Sequence, residues 1–435
     1  MLKQLHLIII FLVIVWVLVR PNSEAIAGGY MIPHQTARGL SLSNAMTGGV
    51  NDASAVYYNP AALSEVNGDN VLASGSYVNV INSVENSGRK SSNKHDDNFL
   101  ATFFANYHIP NTDLTLGIGT YTPFGLVTTY DSDAFTRFAA VQTKLRTIYV
   151  TPALAWNPTN YLSLGAGLSF VHASGVFSRA LCLDPFSSCT QPLGLEGTVR
   201  LTDTADAFAY NIGLLVKPIE TLKFGFSYRS RVDLRFDNAT AKFGGAFLNP
   251  TVKADVSPIP LPPVINAGLF WQITPSWGAE FVYEYTRWSE FKNFTTTFSP
   301  IPIFLPLGAP IPGFQLPQDW KNTSTLRFGS FYALNENWEL RGGIAAEQTP
   351  IPSKTLNPAI PGADLLTLNV GIGYKWEKFS VDLGYMAVFY KTRRVTNSEL
   401  EGLPATAPLF YAGAPGSDKY QTFNNFVTLS LGYRF

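Results

Sequence analysis

The sequence predicts an all-β chain: a transmembrane antiparallel β-barrel of about 14 strands with a small, mostly helical N-terminal plug in its lumen. Composition is the first reason. Charged residues make up 14% of the 435-residue chain and aromatic residues another 14%, and there are 35 glycines. A soluble domain carries about 25% charge. Yet beyond residue 27 no apolar run reaches the roughly 18 residues that a membrane helix needs. Alternation is the second reason. Val427, Leu429, Leu431, Tyr433 and Phe435 share one face of the last segment, and Thr428, Ser430, Gly432 and Arg434 share the other. Residues 366–376 and 380–390 repeat this period of two, which marks a strand with unlike faces.

Connection lengths are the third reason, and they separate a membrane barrel from a soluble sandwich. Short turns lie at His108–Asp113, Asn157–Asn160, Pro218–Thr221, Thr274-Pro275, Asn335 and around Glu377. Long loops lie at 81–97, 122–137, 179–205, 234–263, 290–320, 349–363 and 392–421. Short turns on one side and long loops on the other is the outer-membrane arrangement. Trp156, Tyr161, Trp271, Trp277, Trp338 and Trp376 stand beside the short turns, where an interfacial aromatic girdle belongs.

Taken in order, residues 1–27 read as a cleaved signal peptide. Lys3 is basic, Leu5–Val19 is apolar apart from His6, and Ala25-Ile26-Ala27 is an A-x-A site. The protein is therefore expected to be exported to the bacterial outer membrane. Losing Lys3, Arg20 and Glu24 leaves the 31 basic and 31 acidic residues nearly balanced, so no basic field for nucleic acid exists. Residues 28–68 lack a period of two and read as the plug. Ser41–Met46 and Ala53–Tyr58 read as short helices. Asn59 suits a helix N-cap, Pro60 the first helical position, and Asn67-Gly68 a stop. Residues 69–435 read as the barrel, with strands at 69–80, 98–108, 113–121, 138–156, 161–178, 206–217, 222–233, 264–273, 276–289, 321–334, 336–348, 364–376, 378–391 and 422–435. Cys182 and Cys189 share one loop, where an oxidising compartment favours a disulfide. The terminal Phe435, with apolar residues at alternate positions before it, is similar to the signal read by the barrel-assembly machinery.

The chain resembles the FadL-type outer-membrane transporters of long-chain fatty acids and other hydrophobic compounds. The resemblance rests on Asn51-Asp52-Ala53-Ser54 with Tyr58-Asn59-Pro60-Ala61, and on Pro123-Phe124-Gly125-Leu126. It continues in Leu261-Pro262-Pro263 with Glu284-Tyr285-Thr286-Arg287-Trp288-Ser289, in Gln318-Asp319-Trp320-Lys321, and in Thr349-Pro350 with Pro352. It implies a lumenal hatch carrying Asn59, Pro60 and Ala61, and a kink in the third strand through which ligand leaves sideways. Lys321 becomes the first candidate for a fatty-acid head group, followed by Arg146, with Phe124 and Phe304 as apolar candidates.

The chemistry required is a greasy capture surface, a pocket and a dry exit. Loop 290–320 is crowded with Phe291, Phe294, Phe298, Ile301, Ile303, Phe304, Leu305 and Leu307, and its prolines are expected to prevent strand pairing. An exit is expected near Gly117, Gly119, Pro123 and Pro152, with Gly117 set close to Pro152. Glu280, Glu284, Arg327, Glu339, Arg341, Lys375 and Asp382 are expected to face the lumen, chiefly as a paired structural network. No Gly-x-Ser-x-Gly elbow is present and the histidines are scattered, so neither an enzyme nor a metal or cofactor site is expected. Hydrophobic small molecules, outer-membrane lipid and lipopolysaccharide are the expected partners of a monomer. Uptake of aromatic hydrocarbons, or a surface receptor or adhesin, are the alternatives.

Overall fold

Fourteen antiparallel strands close into one barrel. They are β1 Asn70–Asn86, β2 Asn98–His108, β3 Leu114–Tyr121 with its continuation Gly125–Thr129, β4 Gln142–Thr159, β5 Leu162–Cys182, β6 Glu196–Ile219 and β7 Leu222–Arg229 with Val232–Gly244. Then come β8 Thr251–Leu261 with Val264–Thr274, β9 Trp277–Thr286, β10 Thr323–Ala333, β11 Trp338–Glu347, β12 Leu365–Trp376, β13 Phe379–Tyr390 and β14 Asp418–Arg434. The barrel closes through β1 against β14, from Asn70 opposite Arg434 to Glu85 opposite Lys419. Closure satisfies backbone groups strand to strand, as a hydrocarbon surrounding demands. The structure is a computed structural model that describes residues 29–435 apart from 87, 95–97, 183–195, 246, 249, 305–308 and 400–417. The leader, Cys189 and the side chains of Cys182 and Phe304 lie outside the described residues.

Alternation puts the apolar side outward. Leu164, Leu168, Phe170, Leu383, Tyr385, Val427 and Leu429 are exposed on the wall, whereas Ser74, Ser76, Thr428 and Ser430 are buried inside. The inward hydroxyls pair across strands, Ser74 with Ser430 at 2.7 Å and Ser76 with Thr428 at 2.7 Å. Trp156, Tyr161, Trp271, Trp277, Trp338 and Trp376 are all exposed beside the short turns.

Several long loops prove shorter than the sequence suggested, because strands run past the membrane and go on pairing. β5 and β6 stay in register out to Cys182 opposite Glu196, and β7 and β8 continue through Lys242 opposite Thr251. In loop 290–320, Asn293–Ser299 pairs with Gly313–Pro317 and with β8. Its prolines do not prevent this, since none falls within Asn293–Ser299 and Pro317 meets Asn293 only at the end of the ladder.

Residues 29–66 fill the lumen. Helix α1 is Ala37–Ser41, capped by Thr36, whose hydroxyl accepts from Gly39 N at 3.0 Å. The helix expected at Ser41–Met46 is absent because Ser43 and Asn44 adopt φ of 52° and 60°, a left-handed conformation that ends a helix. Helix α2 is Ala55–Tyr58, and a 3-10 turn runs over Pro60–Glu65. Asn59 caps that turn, accepting from Ala61 N at 3.2 Å.

Candidate functional site

The hatch is seated on glycine. Gly165 stands opposite Gly213, Gly225 opposite Gly268, Gly329 opposite Gly343 and Gly371 opposite Gly384. A Cβ at any of these would meet another atom at under 3.0 Å, and in each pair the obstruction includes the hatch. The hatch residues involved are Asn59–Ala61, Thr47-Gly48, Leu42-Ser43, and Ala37 with Ser41. Without side chains, the wall lets another backbone approach directly. Polar ties reinforce the seat. The Glu280 carboxylate accepts from the backbone N–H groups of Thr47, Gly48 and Gly49 at 2.6–2.9 Å. Asn59 Nδ2 donates to Thr47 O at 2.7 Å and to Leu214 O at 3.1 Å. Glu65 takes Lys217 at 2.5 Å and Lys223 at 3.0 Å.

Above the hatch lies an apolar pocket of about 70 Å³, lined by Phe177, Val199, Leu201, Phe291, Phe294, Phe314 and Leu316 among others. Arg179, on the inward face of β5, is its cationic lining residue; it is only 6% exposed, and its guanidinium stacks on Phe314 at 4.1 Å. Gln318 adds an amide. Phe291 connects the pocket to a second aromatic group. Tyr30 of the hatch lies 4.7 Å from Trp288, 5.4 Å from Trp320, 6.2 Å from Phe291 and 6.3 Å from Phe124, ring centre to ring centre. Its hydroxyl donates to Pro260 O. Gly29, at φ 72°, passes so close to Trp288 and Trp320 that a Cβ would strike them. Four such ring contacts are worth about 0.5–1.5 kcal/mol each beyond area burial.

Beside Tyr30 the wall is interrupted. The lower part of β3 pairs with β2 from Phe103 opposite Thr120 to His108 opposite Thr115. After Thr122-Pro123-Phe124 its upper part, Gly125–Thr129, forms a ladder with β4 alone, with one further bond from Lys94 N to Thr129 O at 2.7 Å, while Asn98–Thr102 of β2 pairs with β1 alone. The hatch occupies the edge so freed. Ile32 N donates to Pro123 O at 2.7 Å, Gly125 N donates to Tyr30 O at 2.9 Å, and Met31 bridges to Phe124. Gln35 spans the gap: its amide bonds both backbone groups of Thr122 at 3.0 Å, and its own carbonyl accepts from Thr102 on β2 at 2.6 Å. A side-chain amide thus stands in for a missing ladder partner.

The residues singled out from sequence are scattered over this arrangement. Phe124 is buried at the break, against Tyr30 and Trp288. Pro123 sits in the break itself. Gly117 and Gly119 lie below it, paired on both sides, and their missing side chains make room for Val56 and Leu63 at Gly117 and for Phe104 and Val56 at Gly119. Gly117 stands opposite Ala153, not Pro152, because Asp113 belongs to the turn, where its carbonyl accepts from Asn157 N. The ladder between β4 and β5 skips Thr151 and Pro152, so the absent donor of Pro152 faces β5. Lys321 is exposed and does not line the pocket. Arg146 alternates with the inward Leu145, Thr147 and Tyr149 and lies on the outward face with Val150, Leu154 and Trp156. Of the lumen charges, Arg327 pairs with Glu284 at 2.8 Å and Glu347 at 3.7 Å; Arg341 pairs with Glu339 at 2.5 Å and Asp382 at 2.6 Å. Arg38 of the hatch also reaches Glu339. Lys375 is exposed at the short-turn side.

Arg179, Tyr30 and Gln35 were not singled out from sequence. Arg179 carries a legible signal, since it continues the inward face of β5, but it falls one residue beyond where that strand was expected to end.

A closed barrel, apolar outside, with a lumenal hatch below a greasy pocket, is the architecture of an outer-membrane transporter of hydrophobic compounds. The chain belongs to the family described as "Outer membrane protein transport protein (OMPP1/FadL/TodX)", whose model matches residues 19–432. It is 27% identical over 347 residues to outer membrane protein P1 of Haemophilus influenzae, covering 75% of this chain and 73% of that one. It is 22% identical over 401 residues to the long-chain fatty acid transport protein of Escherichia coli, covering 83% and 88%. Among solved structures, a Pseudomonas aeruginosa FadL homologue superposes with a TM-score of 0.81 at 20% identity, covering 94% of this chain and all (100%) of that one. The Pseudomonas putida toluene transporter TodX gives 0.69 at 18%, covering 91% and 98%.

Proposed function

We propose that the protein carries long-chain fatty acids inward across the outer membrane by diffusion down their gradient. Arg179 carries this reading. A buried guanidinium in a largely apolar pocket suits a ligand with a carboxylate at one end and hydrocarbon beyond it. A neutral aromatic has no use for that charge. The relatives bear names of both substrate classes, so the distinction rests on this chain's own pocket.

Ligand gathers on the apolar outer segments around 290–320 and enters the pocket with its carboxylate toward Arg179. The segment Tyr30–Gln35 then releases Phe124 and Thr122, and the acyl chain leaves sideways between β2 and the upper part of β3. Asn59-Pro60-Ala61 stays in place as an anchor. Gly117 and Gly119 bound the opening from below.

Native mass spectrometry of the purified barrel, incubated with oleate or with naphthalene, tests the substrate class. Oleate is expected to be retained and naphthalene lost. Retention of naphthalene with no oleate adduct would sink the fatty-acid reading in favour of aromatic hydrocarbons, for which the Tyr30–Trp288–Trp320 group offers ring partners.

A further inference from the structure

Arg229, the last residue of the first segment of β7, is a buried cation without a buried counter-ion. Its side chain reaches inward and the residue is 9% exposed. Its Nη2 donates to Tyr57 O at 3.0 Å, and the guanidinium lies 4.1 Å from the Tyr57 ring centre and 6.0 Å from that of Tyr121. The other buried arginines at this depth have carboxylates: Arg38 has Glu339, Arg327 has Glu284, and Arg341 has Asp382. Among the described residues no carboxylate lies within ion-pair distance of Arg229. A charge taken out of water ordinarily keeps a partner of opposite sign, and a tyrosine face supplies only part of what a carboxylate would.

A second observation points the same way. Tyr149 is 1% exposed, and its hydroxyl has no hydrogen-bond partner among the described residues; nor has Nε of Arg229. A buried O–H and a buried N–H left without acceptors are costly unless something brings an acceptor. Their place in the fold is specific. The Tyr149 ring stacks on Tyr121 at 5.7 Å, and Tyr121 is the last residue of β3 before the break. Tyr121 in turn lies 6.0 Å from the Arg229 guanidinium, so it stands between the two donors. These two donors therefore flank Tyr121, at the lower lip of the opening.

We propose that Arg229 and Tyr149 form a second, inner anion site, which receives the carboxylate of an acyl ligand once it has left Arg179. The proposal rests on the fatty-acid reading above. Arg229 supplies the charge and one N–H, and Tyr149 an O–H. A carboxylate can accept from both, one oxygen each, while its hydrocarbon lies toward the break. Handing the head group from one buried cation to another spares it a passage through apolar space unpaired. A neutral ligand gains nothing from this site.

The test uses the purified full-length barrel in phospholipid vesicles, with radiolabelled oleate and methyl oleate as probes. Tyr149→Phe keeps the ring stack and removes only the hydroxyl; Arg229→Gln removes the charge. Oleate uptake is expected to fall about threefold in the first and about tenfold in the second, the cost of one neutral and one charge-assisted hydrogen bond. Methyl oleate uptake and equilibrium oleate binding at the Arg179 pocket are expected to stay at wild-type levels. Equal slowing of acid and ester in Tyr149→Phe would assign the pair to packing and overturn the proposal. Unchanged oleate uptake in Tyr149→Phe would overturn it as well, whether or not Arg229→Gln folds. Failure of the wild-type barrel to bind oleate is a separate outcome, which removes the fatty-acid reading and this site together.

Discussion

At the scale of single residues, orientation matters more than residue type. Lys321 and Arg146 have the right chemistry for a carboxylate, yet one is exposed and the other faces out of the barrel. Arg179 has the same chemistry and points into the pocket. Replacing it with glutamine is expected to weaken oleate binding by roughly 10- to 100-fold, the range of a charge-assisted hydrogen bond worth about 1.5–3 kcal/mol. Methyl oleate should bind as before. Isothermal titration with both ligands checks this, and equal loss for both would reduce Arg179 to a packing role. The outward placement of Arg146 was legible, since it shares parity with Trp156 at the girdle. Burial of Gln35 across a gap was not, because nothing local marks which strand edge an amide will meet.

At the scale of elements, two kinds of contact hold the hatch. From Thr36 to Gly48 and from Asn59 to Glu65 it lies against paired glycines or is tied by Glu280, Asn59 and Glu65. From Gly29 to Gln35 it is held by ring contacts and by a few bonds to the broken edge of β3. Met31 and Phe124 form the closely spaced type of antiparallel pair, with Cα atoms about 4.5 Å apart, within disulfide reach. The double variant Met31→Cys/Phe124→Cys should therefore stop oleate uptake when oxidised and recover it on reduction. Uptake that ignores the redox state would show that this segment is not the gate. The sequence marked Asn59 as an N-cap with Pro60 at the first helical position, and a 3-10 turn begins there, because capping is local chemistry. It could not mark the Met31 bridge, since its partner Phe124 lies far along the chain, at the break in β3, and pairing at that range leaves no periodic trace.

At the scale of the whole molecule, the plugged barrel has to pass apolar solutes while holding back polar ones. The glycine pairs are what let a backbone fill the lumen without a side-chain gap. A methyl group at Gly213 would collide with Asn59 and Ala61, and the wall cannot yield without breaking its ladders. Gly213→Ala is thus expected to leave the barrel folded, as read by heat-modifiable gel migration, and to unseat the hatch. Cells carrying it should become more permeable to small hydrophilic antibiotics, measured as a fall of roughly fourfold or more in inhibitory concentration, the scale of a cost of about 1 kcal/mol. Unaltered susceptibility with a folded barrel would mean that the hatch is not what seals the lumen.

The sequence by itself determined the wall. A period of two, alternating turn lengths and aromatic residues at the short turns are each set by neighbours in the chain, and a bilayer leaves such a pattern only closure as a solution. Tertiary structure alone decided the site. The pocket draws on β5, β6 and the 290–320 and 349–363 segments, and the hatch meets strands that are hundreds of residues apart. Which inward position lies empty, which glycine meets a backbone and which arginine lacks a carboxylate depend on register summed around a closed ring. No single strand carries that information.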